Sequence, residues 1–170
     1  MRRGLILGRF QPYHLGHHQV LKKIAKEVDE IIIGIGSAQK SHEIENPFTA
    51  GERVLMVSSA LEEIGIKHYV IPIEDIQRNS LWVAHVKSMA PPFEIAYTNN
   101  PLVIELLQEA GVKVKKSPLF KRNNYSGTEI RRRMLAGDRW EHFVPEKVVE
   151  IIQAVDGVKR LLNIAQSDQI

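Results

Sequence analysis

A chain of 170 residues with 44% hydrophobic content suffices for one domain with a proper core, and its composition excludes disorder, collagen and low complexity. The absence of cysteine excludes disulfides, thiolate metal sites and a cysteine nucleophile, and no apolar run approaches the ~20 residues of a membrane span. A net charge of +3 and a pI of about 9.2 suit an anionic partner, while 6% aromatic content without a basic–aromatic run argues against a single-strand stacking platform. The N-terminus begins directly with strand-like sequence and shows no signal or transit peptide, so a cytoplasmic protein is expected, with no membrane or nucleic-acid partner.

Strands and helices alternate along the chain. Residues 3–7 read as a strand. Residues 15–28 read as a helix, because Val20, Leu21, Ile24, Ala25 and Val28 recur at three and four residues. Residues 30–36 form a second strand whose Ile31-Ile32-Ile33 run lacks polar alternation, as in a strand buried on both faces of a parallel sheet. A polar loop over 37–48 leads to Thr49-Ala50-Gly51-Glu52, a capping box whose helix runs to about Ile64 and stops near Gly65. Residues 67–73 are a third strand. Asn79 or Ser80 is expected to cap a short helix to Met89, which Pro91-Pro92 cannot continue. Residues 93–97 are a fourth strand, Asn100-Pro101 starts a helix that Gly111 ends, and residues 112–116 are a fifth strand. A second polar loop over 117–125 precedes Ser126-Gly127-Thr128-Glu129, a second capping box, and a helix to about Leu135. Pro145 starts a last helix with Val148, Ile151, Ile152 and Val155 on one side. Gly157 is expected to break it before a short amphipathic tail. The chain thus reads as a single domain over 1–170, with 145–170 a small C-terminal helical extension.

Five strands alternating with helices imply a doubly wound, Rossmann-like α/β fold: a five-stranded parallel sheet with helices on both faces. Ligands in such sheets bind beyond the C-terminal strand ends. Segments 8–18, 37–49, 74–80, 97–101 and 117–128 should therefore open on one side.

Two glycine patterns are decoys. Residues 34–39 nearly match G-x-G-x-x-G, and residues 34–41 nearly match the P-loop. Gln39 stands where each needs a glycine for close backbone approach to phosphate. Lys40 reads equally as a phosphate contact or a solvated loop lysine. The stretch GRFQPYHLGHH, residues 8–18, carries more. His14 and His17, three apart at a helix start, fall on one side of the turn. Gly16 between them leaves room for a ligand atom, and Pro12 stiffens the approach. The helix N-terminus adds free N–H groups and partial positive charge. Two imidazoles can donate to phosphoryl oxygens whether neutral or charged. A pair of plain cap histidines, or a zinc site lacking the carboxylate of H-E-x-x-H, are the competing readings. His18 is expected to face solvent. Far along the chain, the Ser126 helix start offers N–H groups and hydroxyls, and Arg131 one turn on can reach the same phosphates. Successive helix residues point ~100° apart, so Arg132 and Arg133 are read as surface or subunit contacts.

The first stretch resembles the G-x-F-x-P-x-H-x-G-H signature of the nucleotidylyltransferase superfamily, at Gly8, Phe10, Pro12, His14, Gly16 and His17. Its core is also similar to the HIGH motif of class I aminoacyl-tRNA synthetases, for which the chain is far too short. Ser126, Thr128 and Arg131 match the superfamily's second motif, S-x-T-x-x-R. Arg9 and Gln11 stand where sister families have threonine and aspartate. With residues 35–39, 46–53 and 125–133, they make the resemblance one to archaeal-type nicotinamide mononucleotide (NMN) adenylyltransferases, with Arg9 and Gln11 the clue to the acceptor.

That resemblance implies adenylyl transfer from ATP to NMN, giving NAD and pyrophosphate. Gly8, Arg9, Phe10, His14, Gly16, His17, Tyr97, Asn99, Ser126, Thr128 and Arg131 would bind ATP, with His14, His17, Arg9 and Arg131 catalytic. Asp75, Asn79 and Trp82 would bind NMN, with Trp82 under the nicotinamide ring; Trp140 has no such support. The attacking phosphate has a second pKa near ~6 and is mostly dianionic at neutral pH, so neither a general base nor a covalent intermediate is needed. The site's work is charge neutralisation and alignment. Mg²⁺ would be carried with ATP, since no carboxylate cluster offers a cage. A homo-oligomer is implied, with a hexamer the expected form. The competing functions are transfer to pantetheine phosphate or flavin mononucleotide, cytidylyl transfer, and a non-catalytic nucleotide-sensing or RNA-binding module.

Overall fold

Six consecutive buried residues, Glu30–Ile35, form a strand flanked on both sides by others, as the unbroken isoleucine run requires. The computed structural model describes residues 1–117 and 125–167. Its strands are β1 (Arg3–Gly8), β2 (Glu30–Ile35), β3 (Lys67–Pro72), β4 (Ile95–Tyr97) and β5 (Lys113–Lys115). All neighbouring pairs are parallel, in the order β3-β2-β1-β4-β5. The helices are α1 (Leu15–Ile24), α2 (Ala50–Ile64), α3 (Trp82–Met89), α4 (Pro101–Glu109), α5 (Gly127–Ala136), α6 (Glu146–Ala154) and α7 (Gly157–Ser167).

Alternation along the strands divides the core in two. Ile31, Ile33 and Ile35 face α1, α2, α5, α6 and α7, packing with Leu21, Met56, Ile130, Val148 and Leu161. Ile32 and Leu5 face the opposite way, onto Val83 and Val86 of α3 and Leu107 of α4. Helices therefore cover both faces. Glu30, buried at the start of β2, is paired across the register with Arg3 on one side and Lys67 on the other. From β1 the chain steps outward through β2 to β3, then crosses back to β4 on the other side of β1. The connections after β1 and β4 diverge there, and the crevice this leaves at the C-terminal strand ends is where such sheets bind ligands.

Three caps stand where the sequence places them. Thr49 and Glu52 form a reciprocal box, Asn100 accepts from the N–H groups of Leu102 and Val103, and Ser126 accepts from the Glu129 N–H. The boundaries differ elsewhere. α1 stops at Ile24 although Val28 continues its spacing, because the N–H groups of Asp29 and Glu30 already bond to Arg2 to open β2. Asn79 and Ser80 do not cap α3. They belong to a 3-10 turn, Asn79–Leu81, whose tighter hydrogen bonding leads into the helix without a side-chain cap. Gly157 does not break the last helix. Asp156 makes the bend in left-handed conformation (φ 50°), and Gly157 opens α7 where a Cβ would lie 2.7 Å from the Phe48 ring. α7 is no loose tail: Arg160 donates to both carboxylate oxygens of Glu52, at 2.6 and 2.8 Å, and to the Pro47 carbonyl at 3.0 Å. Most of the loop expected over 117–125 lies outside the described residues. Among the described residues no helix is long and apolar enough to cross a membrane.

Candidate active site

Strand β1 ends at Gly8 for a steric reason. A Cβ there would lie 2.9 Å from the Phe10 ring, which folds back over the strand end from a left-handed backbone (φ 53°). The buried Phe10 ring in turn packs against Tyr13 and edge-on against His17. Gln11 is buried as well. Its carboxamide donates to the Phe48 carbonyl at 3.0 Å and accepts from the Phe48 N–H at 2.9 Å, as a strand neighbour would. The side chain expected to mark the acceptor is thus a bracket between the opening stretch and the loop before α2.

His14 is the N-cap of α1. Its Nδ1 accepts from the N–H groups of Gly16 at 3.1 Å and His17 at 3.4 Å, while His17 Nδ1 accepts from the His14 N–H at 3.1 Å. The two histidines are therefore a capping box in themselves, with rings stacked 3.6 Å apart. A ring nitrogen that accepts from a backbone N–H carries no proton, so each imidazole is the neutral Nε2–H tautomer. Burial holds His14 at about 4, and burial plus the adjacent His14 hold His17 well below its ordinary value. Of the two protonation states open to the sequence, the geometry selects the neutral one. Gly16 is also closely hemmed in, which forbids a side chain there. The space over it is filled by the His14 ring, 2.8 Å from a Cβ placed there, and by Tyr125 at 3.0 Å. His18 is not solvent-facing. It is 3% exposed, with Nδ1 3.0 Å from the Tyr13 hydroxyl. It shares the buried face of α1 with Leu21 and Ile24, a spacing that could have shown it.

The second motif touches the first. Arg131, buried in α5, donates from Nη1 to the Gln11 carbonyl at 2.7 Å across 120 residues of sequence, and Nη2 lies 3.4 Å from Thr128 Oγ1. Gly127 permits this contact, since a Cβ there would lie 2.7 Å from Arg131 Nη1 and 3.2 Å from the Gln11 carbonyl oxygen. The Ser126 box is only half closed. Glu129 pairs with Arg132 and Arg133 instead of reaching back, which draws both arginines to its side and holds its carboxyl down at about 2.

A cavity of about 450 Å³ lies between the two motifs. Gly8, Arg9, Phe10, His14, Gly16, His17, Asn99, Ser126, Thr128 and Arg131 all line it, and among the described residues no aspartate or glutamate does. Tyr97 is turned away. Its ring lies against Gly4 and Val28, and its hydroxyl donates to Glu27 at 2.8 Å and is pushed up to about 12 by burial and that carboxylate. Only its backbone can face a ligand at the strand end. Asp75, Asn79 and Trp82 do not line this cavity. Asp75 is bonded twice to the Gln39 side chain, Asn79 sits exposed in the 3-10 turn, and the half-buried Trp82 packs against the core between the sheet and α3. Trp140 is buried in the larger core. Lys40 is exposed and away from the cavity. Among the described residues no group of three or more histidines, aspartates or glutamates could hold a metal ion.

Two polar residues at the ends of the 46–53 stretch carry roles that the sequence did not assign them. Asn46, buried, lies with Oδ1 3.5 Å from Arg9 Nη1 and donates to Glu43. Arg53 is wholly buried and donates to backbone carbonyls from three separate segments. Its place on the face of α2 shared with Met56, Val57 and Ala60 was the available signal.

Known proteins match this chain. Residues 5–133 fit the Cytidylyltransferase-like family. The nicotinamide-nucleotide adenylyltransferase of Methanosarcina barkeri is 65% identical over 99% of this chain and 97% of its own length, and that of Archaeoglobus fulgidus is 62% identical over 98% and 99%. A solved bifunctional NMN adenylyltransferase/ADP ribose pyrophosphatase from Francisella tularensis, complexed with AMP and manganese ion, superposes with a TM-score of 0.75 at 20% identity. That likeness covers 95% of this chain and 52% of the other, and it shows the shared fold. The chain belongs to the Cytidylyltransferase-like family and, within it, to the archaeal nicotinamide-nucleotide adenylyltransferases.

Proposed function

We infer that this chain transfers the adenylyl group of ATP to nicotinamide mononucleotide, forming NAD and pyrophosphate as a step of NAD biosynthesis. The observation that carries this is the junction of the two phosphate-type motifs in one cavity, lined by neutral and cationic donors. A phosphate oxygen of the mononucleotide attacks the α-phosphorus of ATP, the bond to the bridging oxygen breaks, and pyrophosphate leaves with the electron pair. No proton needs removal, because the attacking phosphate is already mostly dianionic with a second pKa of about 6.

The residues divide the electrostatic work. His14 and His17 donate Nε2–H bonds to ATP phosphates, with His17 nearer the α-phosphate and its developing charge. Arg9 bridges the reacting phosphates, with Asn46 beside its guanidinium. Arg131 commits one N–H to Gln11 and keeps others for the β- and γ-phosphates, beside the Ser126–Thr128 helix start. Asn99 and the backbone after β4 lie where adenine would rest. Asp75, Asn79 and Trp82, beyond β3, form the acceptor end, with the indole face under the pyridinium ring. A divalent ion, Mg²⁺ in this reading, enters on the phosphates of ATP as part of the substrate. The reading extends to a cytoplasmic homo-oligomer, a hexamer, which light scattering on the purified chain checks.

The direct test is incubation with ATP, Mg²⁺ and a panel of phosphorylated acceptors, followed by identification of the product. NAD from NMN is expected. Its absence, or a preference for pantetheine phosphate or flavin mononucleotide, overturns the reading. RNA binding that weakens steeply with salt, without pyrophosphate release, would favour the non-catalytic alternative.

A further inference from the structure

Arg53 is a cation with no salt bridge among the described residues, and it is 0% exposed. A buried charge without a counter-ion is expensive unless its hydrogen bonds are fully answered. Here backbone carbonyls answer them. Nε donates to Thr49 at 3.2 Å. Nη1 donates to Arg9 and to Gly36, each at 2.9 Å. Nη2 faces the carbonyls of Ser37, Ala38 and Lys40 at 3.2, 3.4 and 3.2 Å. One planar fork thus gathers the turn after β1, the loop after β2 and the cap of α2.

The loop after β2 is the one whose sequence nearly matches a P-loop. It is built inside out. A P-loop turns its N–H groups inward onto an anion, whereas residues 36, 37, 38 and 40 turn carbonyls inward onto a cation. Peptide planarity then aims the following N–H groups away from the guanidinium. Ser37 adopts the left-handed conformation (φ 47°) in this curl, and the Gln39 side chain at its tip holds Asp75 by two bonds. Arg53 makes no hydrogen bond to His14, His17, Ser126, Thr128 or Arg131.

We propose that Arg53 is a positioning residue for the acceptor half of the site: it holds the 36–40 loop and through Gln39 places Asp75, and it fixes the backbone of Arg9, the residue that bridges the two substrates, while ATP keeps His14, His17 and Arg131. The proposal rests on the adenylyl-transfer reading given above. Lysine cannot replace the fork, because a single ammonium with three donors cannot span three segments.

The test is Arg53→Lys in the full chain, measured by steady-state kinetics, by Kd for a non-hydrolysable ATP analogue and by hydrogen exchange. Exchange is expected to speed up over residues 36–40 while residues 126–131 keep their protection. kcat/KM for the mononucleotide should fall by about 10²-fold, with the analogue's Kd within a few-fold of wild type. Arg53→Ala provides the second measurement: added guanidinium ion should restore part of its turnover. Equal losses in analogue binding and mononucleotide use, or a drop in melting temperature with unchanged kinetic constants, would overturn the proposal. Because hydrogen exchange needs no turnover, unchanged exchange over 36–40 counts against Arg53 even if the wild-type chain makes no NAD, and that second failure belongs to the functional reading alone.

Discussion

The two helix starts that face the cavity close their backbones by opposite means. At α1 the groups assigned to phosphate are themselves the cap: His14 and His17 spend Nδ1 on each other's backbone and turn Nε2–H outward. At α5 the tasks are separated, with Ser126 capping while Arg131 braces against Gln11 and keeps donors in reserve. Fold and chemistry therefore share the same bonds at α1 and use different bonds at α5. In the proposed reaction a tautomer locked by the fold would need no reorganisation to meet a phosphate, which is the form of electrostatic stabilisation that is worth most.

The largest break in this comparison is expected from His17→Ala. It removes one donor and one cap bond together, so kcat should fall by about 10²–10³-fold while the melting curve reports a loss of ~1 kcal/mol. His14→Asn sharpens the point. Asparagine caps well but offers no Nε2–H, so the melting temperature should stay near that of wild type while turnover falls as far as in His14→Ala; retained turnover would show that the donor is not used. Next comes Arg131→Met, expected to lose about 10²-fold in kcat/KM for ATP, because it removes a phosphate donor and leaves the Gln11 carbonyl unanswered.

A smaller effect separates the two starts by pH. Burial depresses His14 from 6.5 to about 4, and burial with the adjacent His14 holds His17 well below its ordinary value. In that interval the unfolded chain binds protons that the folded chain does not. Stability is thus full above pH 6.5 and falls as pH drops toward 4. Denaturant melts from pH 7 to pH 4 should show this slope in the wild type and a shallower one in His14→Asn. The smallest effect is Ser126→Ala, expected to cost ~1 kcal/mol of stability and only a few-fold in turnover, since Arg131 keeps its own brace.

Much of this was legible from residue order alone, where the cause is local. The Ile31-Ile32-Ile33 run specified a doubly buried strand, and Thr49, Asn100 and Ser126 announced their helices by side chains that reach only three residues. The two motifs were legible as marked stretches because glycine, histidine and proline at fixed spacing leave few local conformations, and they do meet at one cavity. What was hidden depends on partners distant in sequence. Gln11 looks like a recognition residue until Phe48 is placed beside it. The need for glycine at 16 is visible only once the His14 ring and Tyr125 are placed beside it. Arg53 reads as one residue of the 46–53 stretch until six carbonyls surround it. Trp82 and Asp75 carry no local signal that decides between packing and binding, and both lie outside the cavity between the two motifs.

Arg160 sets an order of events. The loop that Gln11 brackets is held from its other side by a guanidinium 108 residues downstream of Glu52, and Gly157 seats α7 against Phe48. Contacts of such long range form late, because loop-closure entropy is met before they reward it. During synthesis the N-terminal motif emerges first, yet the loop behind Arg9 acquires its last support only after residue 160 is free to dock. A chain arrested before that point carries both histidines but lacks the three bonds by which Arg160 ties α7 to Pro47 and Glu52.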